Sequence, residues 1–253
     1  MAVQGRPPII RSGYDRRLRD RLLHSAPATG AATASSSQGP VLLHDLAMAA
    51  LDTTNTWQTN VGATGVASIV SGWHRLNCVA ASDTSNMSSL KSVRSPYGTQ
   101  DGVSRAKGII WKRLNFECVL KALTNLTNQD NARFFVGLSG TQNGIRTTGN
   151  IVGFVLASDA LNTIRDEAGA EVVTVVSPAP DMTRGHKLRM EFEFVDETGG
   201  TFALRYYVDQ ALIYTETTTA PAGPFYVSLS AGAEAGGSSI VDVGDPHCWL
   251  EAE

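Results

Sequence analysis

The chain has 253 residues, 42% of them hydrophobic and 18% charged, and a net charge of −3 at pH 7. That balance is too apolar for a disordered chain and supports a packed core, while the apolar residues come in bursts far shorter than the ~18 needed to cross a bilayer as a helix. No apolar segment of the signal-peptide kind stands near the N-terminus, so neither export by that route nor a membrane anchor is expected.

Residues 1–40 differ from the rest. Six arginines there face only Asp15 and Asp20, so the segment carries +4 and the remainder −7 of the overall −3. Tyr14, Leu18 and Leu22 recur every four residues and predict one side of a short helix that needs a surface to dock on. Arginine without lysine suits docking onto an acidic neighbour, because its guanidinium pairs carboxylates through two bonds and tolerates interface burial. The expected docking residues are Arg6, Arg11, Tyr14, Arg16, Arg17, Leu18, Arg19, Arg21 and Leu22. DNA contact by this arm is the weaker reading, since the body is acidic and no base-reading motif follows. Residues 25–40, rich in Ala, Thr, Ser, Gly and Pro, predict a flexible tether. The expected division is therefore an arm at 1–24, a linker at 25–40 and one body at 41–253.

The body opens at 41–52, read as an extended first strand despite an Ala and Leu content that suits a helix. Short strands follow around Trp57, 66–70 and 73–80, and residues 81–108, mostly small and polar, predict a long surface excursion. From Ile109 the signals strengthen, with strands predicted at 111–123, 133–140, 151–157, 163–166, 172–176, 186–195, 201–209, 211–217, 225–231 and 247–252. In the clearest of them Leu188, Met190, Phe192 and Phe194 alternate with Lys187, Arg189, Glu191 and Glu193, the period of a half-buried antiparallel strand. Phe202, Leu204, Tyr206 and Val208 alternate in the same way, and Val208-Asp-Gln-Ala211 predicts a tight turn into Leu212-Ile-Tyr214. So many short strands make an all-β sandwich or barrel.

The strand Gly-His-Lys-Leu-Arg-Met-Glu-Phe, a Gly-Gly turn, and then Leu-Arg-Tyr-Tyr-Val-Asp-Gln-Ala-Leu-Ile resemble the back-sheet strands of concanavalin A-like and laminin G-like jelly rolls. The likeness extends to Phe116–Leu120, to Arg133-Phe-Phe-Val-Gly-Leu-Ser139 and to Gly153-Phe-Val-Leu156, and in pattern covers 41–253. It implies an antiparallel jelly-roll sandwich behind an extended N-terminal arm. That layout is also similar to structural proteins of tailed bacteriophages. The resemblance implies a virion component, such as a head decoration, head fibre or tail-associated protein, made in the host cytoplasm. Its partners would be other virion proteins (major capsid, tail or portal) reached through the arm, further copies of itself, and host surface glycans. The alternative from the same resemblance is a carbohydrate-binding module or glycoside hydrolase of concanavalin A-like fold.

No catalytic constellation is legible, and the expectation is that the chain is not an enzyme. Glu191 and Glu193, i and i+2 on one strand, approach the ~5 Å carboxylate spacing of retaining glycosidases. Their pattern departs from the Glu-x-Asp-x-x-Glu of hydrolases with this fold, so they read as the solvated face of an outer strand. Asn125, Asn128, Asp130 and Asn131, and likewise Asp159, Asn162, Asp166 and Glu167, have calcium-loop chemistry but fit ordinary turns as well. His24, His44, His74, His186 and His247 have no metal spacing, and no Gly-x-Ser-x-Gly elbow is present. No cofactor or metal is expected. Cys78, Cys118 and Cys248 are widely spaced and odd in number, which predicts buried free thiols. Sugars stack on exposed aromatic faces, which makes Trp57, Trp73, Tyr97 and Trp111 the candidate platforms.

Overall fold

The computed structural model describes residues 38–47, 50–54, 56–61, 65–79, 88–92, 111–123, 132–140, 151–157, 160–167, 170–196, 201–219, 226–233 and 238–252. The arm residues, Tyr97 and the Asn125–Asn131 loop lie outside them. Every regular element among the described residues is a strand: β1 (Gln38–His44), β2 (Trp57–Val61), β3 (Val66–Val70), β4 (Trp73–Val79), β5 (Ser88–Ser92), β6 (Trp111–Ala122), β7 (Ala132–Ser139), β8 (Ile151–Ala157), β9 (Ala160–Glu167), β10 (Ala170–Val175), β11 (His186–Asp196), β12 (Thr201–Val208), β13 (Ala211–Thr219), β14 (Tyr226–Ala233) and β15 (Ser238–Ala252).

They form two antiparallel sheets. Sheet A has the order β13-β12-β11-β6-β15-β4-β3, and β1 also pairs with β15. Sheet B runs β10-β9-β8-β7-β14-β5-β2. The long β15 serves two neighbours on one flank, β4 along Ser238–Val243 and β1 from His247 to Glu251, with a register shift between Gly244 and His247.

The period-two alternation selects the inner faces. On β6, Leu114, Phe116, Cys118 and Leu120 are buried facing the core, while on the opposite side Arg113, Glu117 and Val119 are only partly so and Asn115 alone is fully covered. Leu188, Met190 and Phe192 on β11, with Phe202, Leu204 and Tyr206 on β12, join the same core against Phe134, Val136, Phe154, Val227 and Leu229 of sheet B. Phe154 meets Tyr206 edge-on at 5.5 Å, and the Tyr206 hydroxyl donates to the Ile164 carbonyl at 3.2 Å, tying β12 of sheet A to β9 of sheet B one strand in from their edges.

Three sequence expectations are corrected here. β1 begins at Gln38, inside the segment expected to be a tether. Ser88–Ser92, expected within a surface excursion, is a strand between β14 and β2 with Leu90 fully buried. The last strand starts at Ser238, well before the expected 247. Its Gly244 passes beneath the Trp73 ring, where an added Cβ would come within 2.8 Å of the indole.

The predicted 208–211 turn is present. Asp209 and Gln210 both take positive φ, 48° and 73°, as a two-residue hairpin with the twist of its strands requires. Aspartate is held there by its own side chain: Oδ1 accepts the Lys187 N–H at 2.9 Å, and Oδ2 contacts His186 Nδ1 at 2.7 Å.

Candidate functional site

The outer face of sheet A is a grid of polar and aromatic side chains whose rows are set by strand register. One row runs Tyr207, Arg189, Glu117, His247, His44 across β12, β11, β6, β15 and β1. The next runs Arg205, Glu191, Asn115, Trp249, and the one after it Ala203, Glu193, Arg113, Glu251.

Most of these groups hold one another in place. The Arg189 guanidinium lies 4.1 Å over the Tyr207 ring and bonds Glu191 Oε1 at 3.0 Å, while the Tyr207 hydroxyl donates to Glu191 Oε2 at 2.7 Å. Burial, reinforced by the bond to Glu191 and its charge, pushes the Tyr207 hydroxyl above its usual pKa, so it stays a proton donor at neutral pH. Glu193 is gripped by Arg113 at 3.1 Å and by Arg205. Burial opposes its ionisation, but the two guanidiniums outweigh that and hold it below the ordinary carboxylate range. Lys187 Nζ bonds Glu117 Oε1 at 2.8 Å. Farther along, His247 stacks between His44 and Trp249, each ring centre 4.5 Å away.

The middle of this face holds polar groups that this network leaves unused. Asn115 is completely buried with neither amide atom hydrogen-bonded, and the Nε1 of Trp249, its cross-strand partner, is also unbonded.

Beside this network Glu117, Lys187, Arg189 and Gln210 line a pocket of about 320 Å³. That is near the lower end of the roughly 300–1,000 Å³ typical of ligand sites. Strands β6 and β11 supply three of its side chains and the β12–β13 turn supplies Gln210. The chemistry on offer is a carboxylate acceptor, an ammonium and a guanidinium with donors left over, and a primary amide.

Several sequence expectations change. Trp57 is not a platform for sugars: it is completely buried, meets His74 edge-on at 5.6 Å, and its indole donates to Asp45 Oδ2 at 2.6 Å. Trp73 is partly buried and packed over Gly244. Trp111 opens β6, and Tyr97 and the arm residues fall outside the described residues. Glu191 and Glu193 do share the outer face, as expected, but in ion pairs rather than solvated, with Glu191 only 6% exposed. The pocket residues Glu117, Lys187 and Gln210 carried no sequence signal as a group, although each could be placed on its strand or turn. All three cysteines are buried and none forms a disulfide, as expected.

No family model matches this sequence, and no curated protein does. Solved structures do. The carbohydrate recognition domain of Emp46p, in its potassium-bound form, superposes with a TM-score of 0.55 at 13% identity, covering 83% of this chain and 95% of that one. The Bacillus licheniformis beta-glucanase gives 0.57 at 15% identity over 83% and 97%. An endo-1,3-beta-glucanase from Streptomyces sioyaensis gives 0.56 at 15% over 88% and 100%. The fold is the concanavalin A-like sandwich. The expectation that the chain is not an enzyme is overturned by these neighbours, because glucanases share its architecture and a missing motif is no ground for excluding catalysis. None of them points to a bacteriophage particle.

Proposed function

We propose that this chain is a carbohydrate-recognition domain that seats a sugar ring in the pocket formed by Glu117, Lys187, Arg189 and Gln210. The observation that carries the reading is the immobilisation of these groups. Arg189 is clamped between the Tyr207 ring and the Glu191 carboxylate, and Lys187 is tethered to Glu117. Hydroxyl recognition needs planar and charged groups fixed in advance, so that little side-chain entropy is lost on binding. The fold supports the reading, being shared with a carbohydrate recognition domain and with glucanases.

Glycoside hydrolysis is the second reading. Glu117 pairs with Arg189, and Glu191 lies two residues along β11, so the two acids are diagonal neighbours across one ladder. Their Cα atoms therefore stand roughly 7–8 Å apart, and both carboxylates rise from one small patch of the outer face, as the paired acids of a glycosidase must. The carbohydrate reading replaces the virion role as the principal conclusion, because the virion role drew on the layout of an arm before a jelly roll and on the lack of a legible enzyme site, whereas the solved structures of like fold include carbohydrate-recognition domains and glucanases.

A glycan array followed by calorimetry tests the proposal, with Arg189→Ala as the decisive variant. Losing one charged hydrogen-bonding group is expected to weaken binding by ~1.5–3 kcal/mol, roughly 10- to 100-fold. No bound glycan, or a glycan bound equally well by the variant, ends the proposal. Release of reducing sugar from β-glucans that disappears in Glu117→Gln would establish the hydrolase reading.

A further inference from the structure

Sheet B ends at β10, which pairs with β9 from Ala170 to Val175 in an unbroken register and with no other strand among the described residues. Two of its side chains are unusually exposed for valine, Val173 at 45% and Val175 at 61%. Val173 stands opposite Ile164, which belongs to a buried apolar cluster with Phe135, Ile151 and Val155 on the outer face of this sheet. An apolar strip therefore runs across β7, β8 and β9 and stops at an open edge. Proteins usually blunt such edges with lysine, proline, bulges or very short strands. Ala170-Glu-Val-Val-Thr-Val175 has no lysine, no proline and no bulge. The other edges differ: β2 and β3 are five residues long, the ladder that carries β1 is shifted twice, and the one that carries β13 is shifted between Tyr206 and Tyr207.

We propose that a second copy of this chain pairs with β10 along this edge, antiparallel about a two-fold axis at Val173, so that sheet B continues through the dimer. The sequence of the edge suits its own copy. With Val173 on the axis, both outer faces stay on one side, Val173 meets Val173, Val172 meets Thr174, and Glu171 meets Val175. No carboxylate faces a carboxylate, the valines exposed in one chain are covered, and the outer apolar cluster becomes continuous across the axis.

Sedimentation and a crosslinking pair test this on the full chain. The wild type is expected at twice the mass of one chain, and Val173→Lys, which sets two like charges on the axis, at a single mass. Val66→Lys, on the edge of the other sheet, is expected to leave the dimer intact. Under mild oxidation Val173→Cys should give a covalent dimer on a non-reducing gel and Val175→Cys should not, because only residue 173 meets its own copy. The native thiols are buried and do not compete. A monomeric wild type, a dimer that survives Val173→Lys or dissociates in Val66→Lys, or crosslinking at 175 in place of 173 would each overturn the proposal. If Val173→Lys fails to fold, the cysteine pair decides alone.

Discussion

Gln210 combines a strained backbone conformation in the β12–β13 turn with a side chain that lines the pocket. At φ 73° it is left-handed, which costs an ordinary L-residue roughly 1–2 kcal/mol relative to glycine in the folded chain. Replacing it with glycine removes that penalty, while the greater freedom of glycine in the unfolded chain returns about 0.5–1 kcal/mol. The net expectation for Gln210→Gly is a gain of about 0.5–1 kcal/mol, read as a higher urea midpoint at unchanged m-value. The same change removes an amide from the pocket lined by Glu117, Lys187 and Arg189. A neutral hydrogen bond contributes ~0.5–1.5 kcal/mol, so glycan affinity should fall about 2- to 10-fold while stability rises. Opposite signs in the two assays separate this from general damage, which lowers both. A variant less stable than the wild type would refute the strain argument, and a more stable variant with unaltered glycan affinity would refute the role of the amide.

Asp45 is a second sensitive point. It accepts from the completely buried Trp57 indole at 2.6 Å and contacts Nε2 of the equally buried His74 at 2.9 Å. Asp45→Ala leaves two buried ring nitrogens without this partner, at ~1–3 kcal/mol for each in urea unfolding; a total loss below ~1 kcal/mol would show that the carboxylate holds nothing. Burial opposes ionisation of Asp45, but His74, Trp57 and the Ala47 N–H together carry its pKa well below the usual range. Because the folded value is depressed, its contribution is complete above the unfolded carboxylate value of ~4 and is lost as the pH falls below it. The gap between wild type and Asp45→Ala should therefore narrow in urea titrations at acid pH. Gly153→Ala should destabilise by about 1–3 kcal/mol in the same assay, since the new Cβ would lie 2.4 Å from the Val136 carbonyl oxygen, which is backbone and cannot move aside alone. Burial pushes the Cys118 and Cys248 thiols far above their ordinary pKa, so a thiol reagent should leave both unmodified in the native protein and react with them in denaturant; rapid native labelling would show that the core opens.

Side-chain alternation on single strands was legible in one dimension. Leu188, Met190 and Phe192, or Phe202, Leu204 and Tyr206, announce an inner face because a pleated strand sends alternate residues to opposite sides, and the Asp209-Gln210 turn marks the hairpin from β12 into β13. The sandwich class follows from many such strands separated by polar turns. Pairing between distant strands is not written in that period. Ser88–Ser92 has almost no apolar signal, yet it is a strand because β14 and β2 offer their backbones on either side of it. Trp57 stays a candidate sugar platform beside the commoner core role until Asp45 and His74 close around its indole. The pocket is the extreme case. Glu117, Lys187 and Gln210 come from a strand, another strand and a turn far apart along the chain, and only the β6–β11–β12 register brings their charges and hydrogen-bonding groups to one place, so no local pattern could have foretold them.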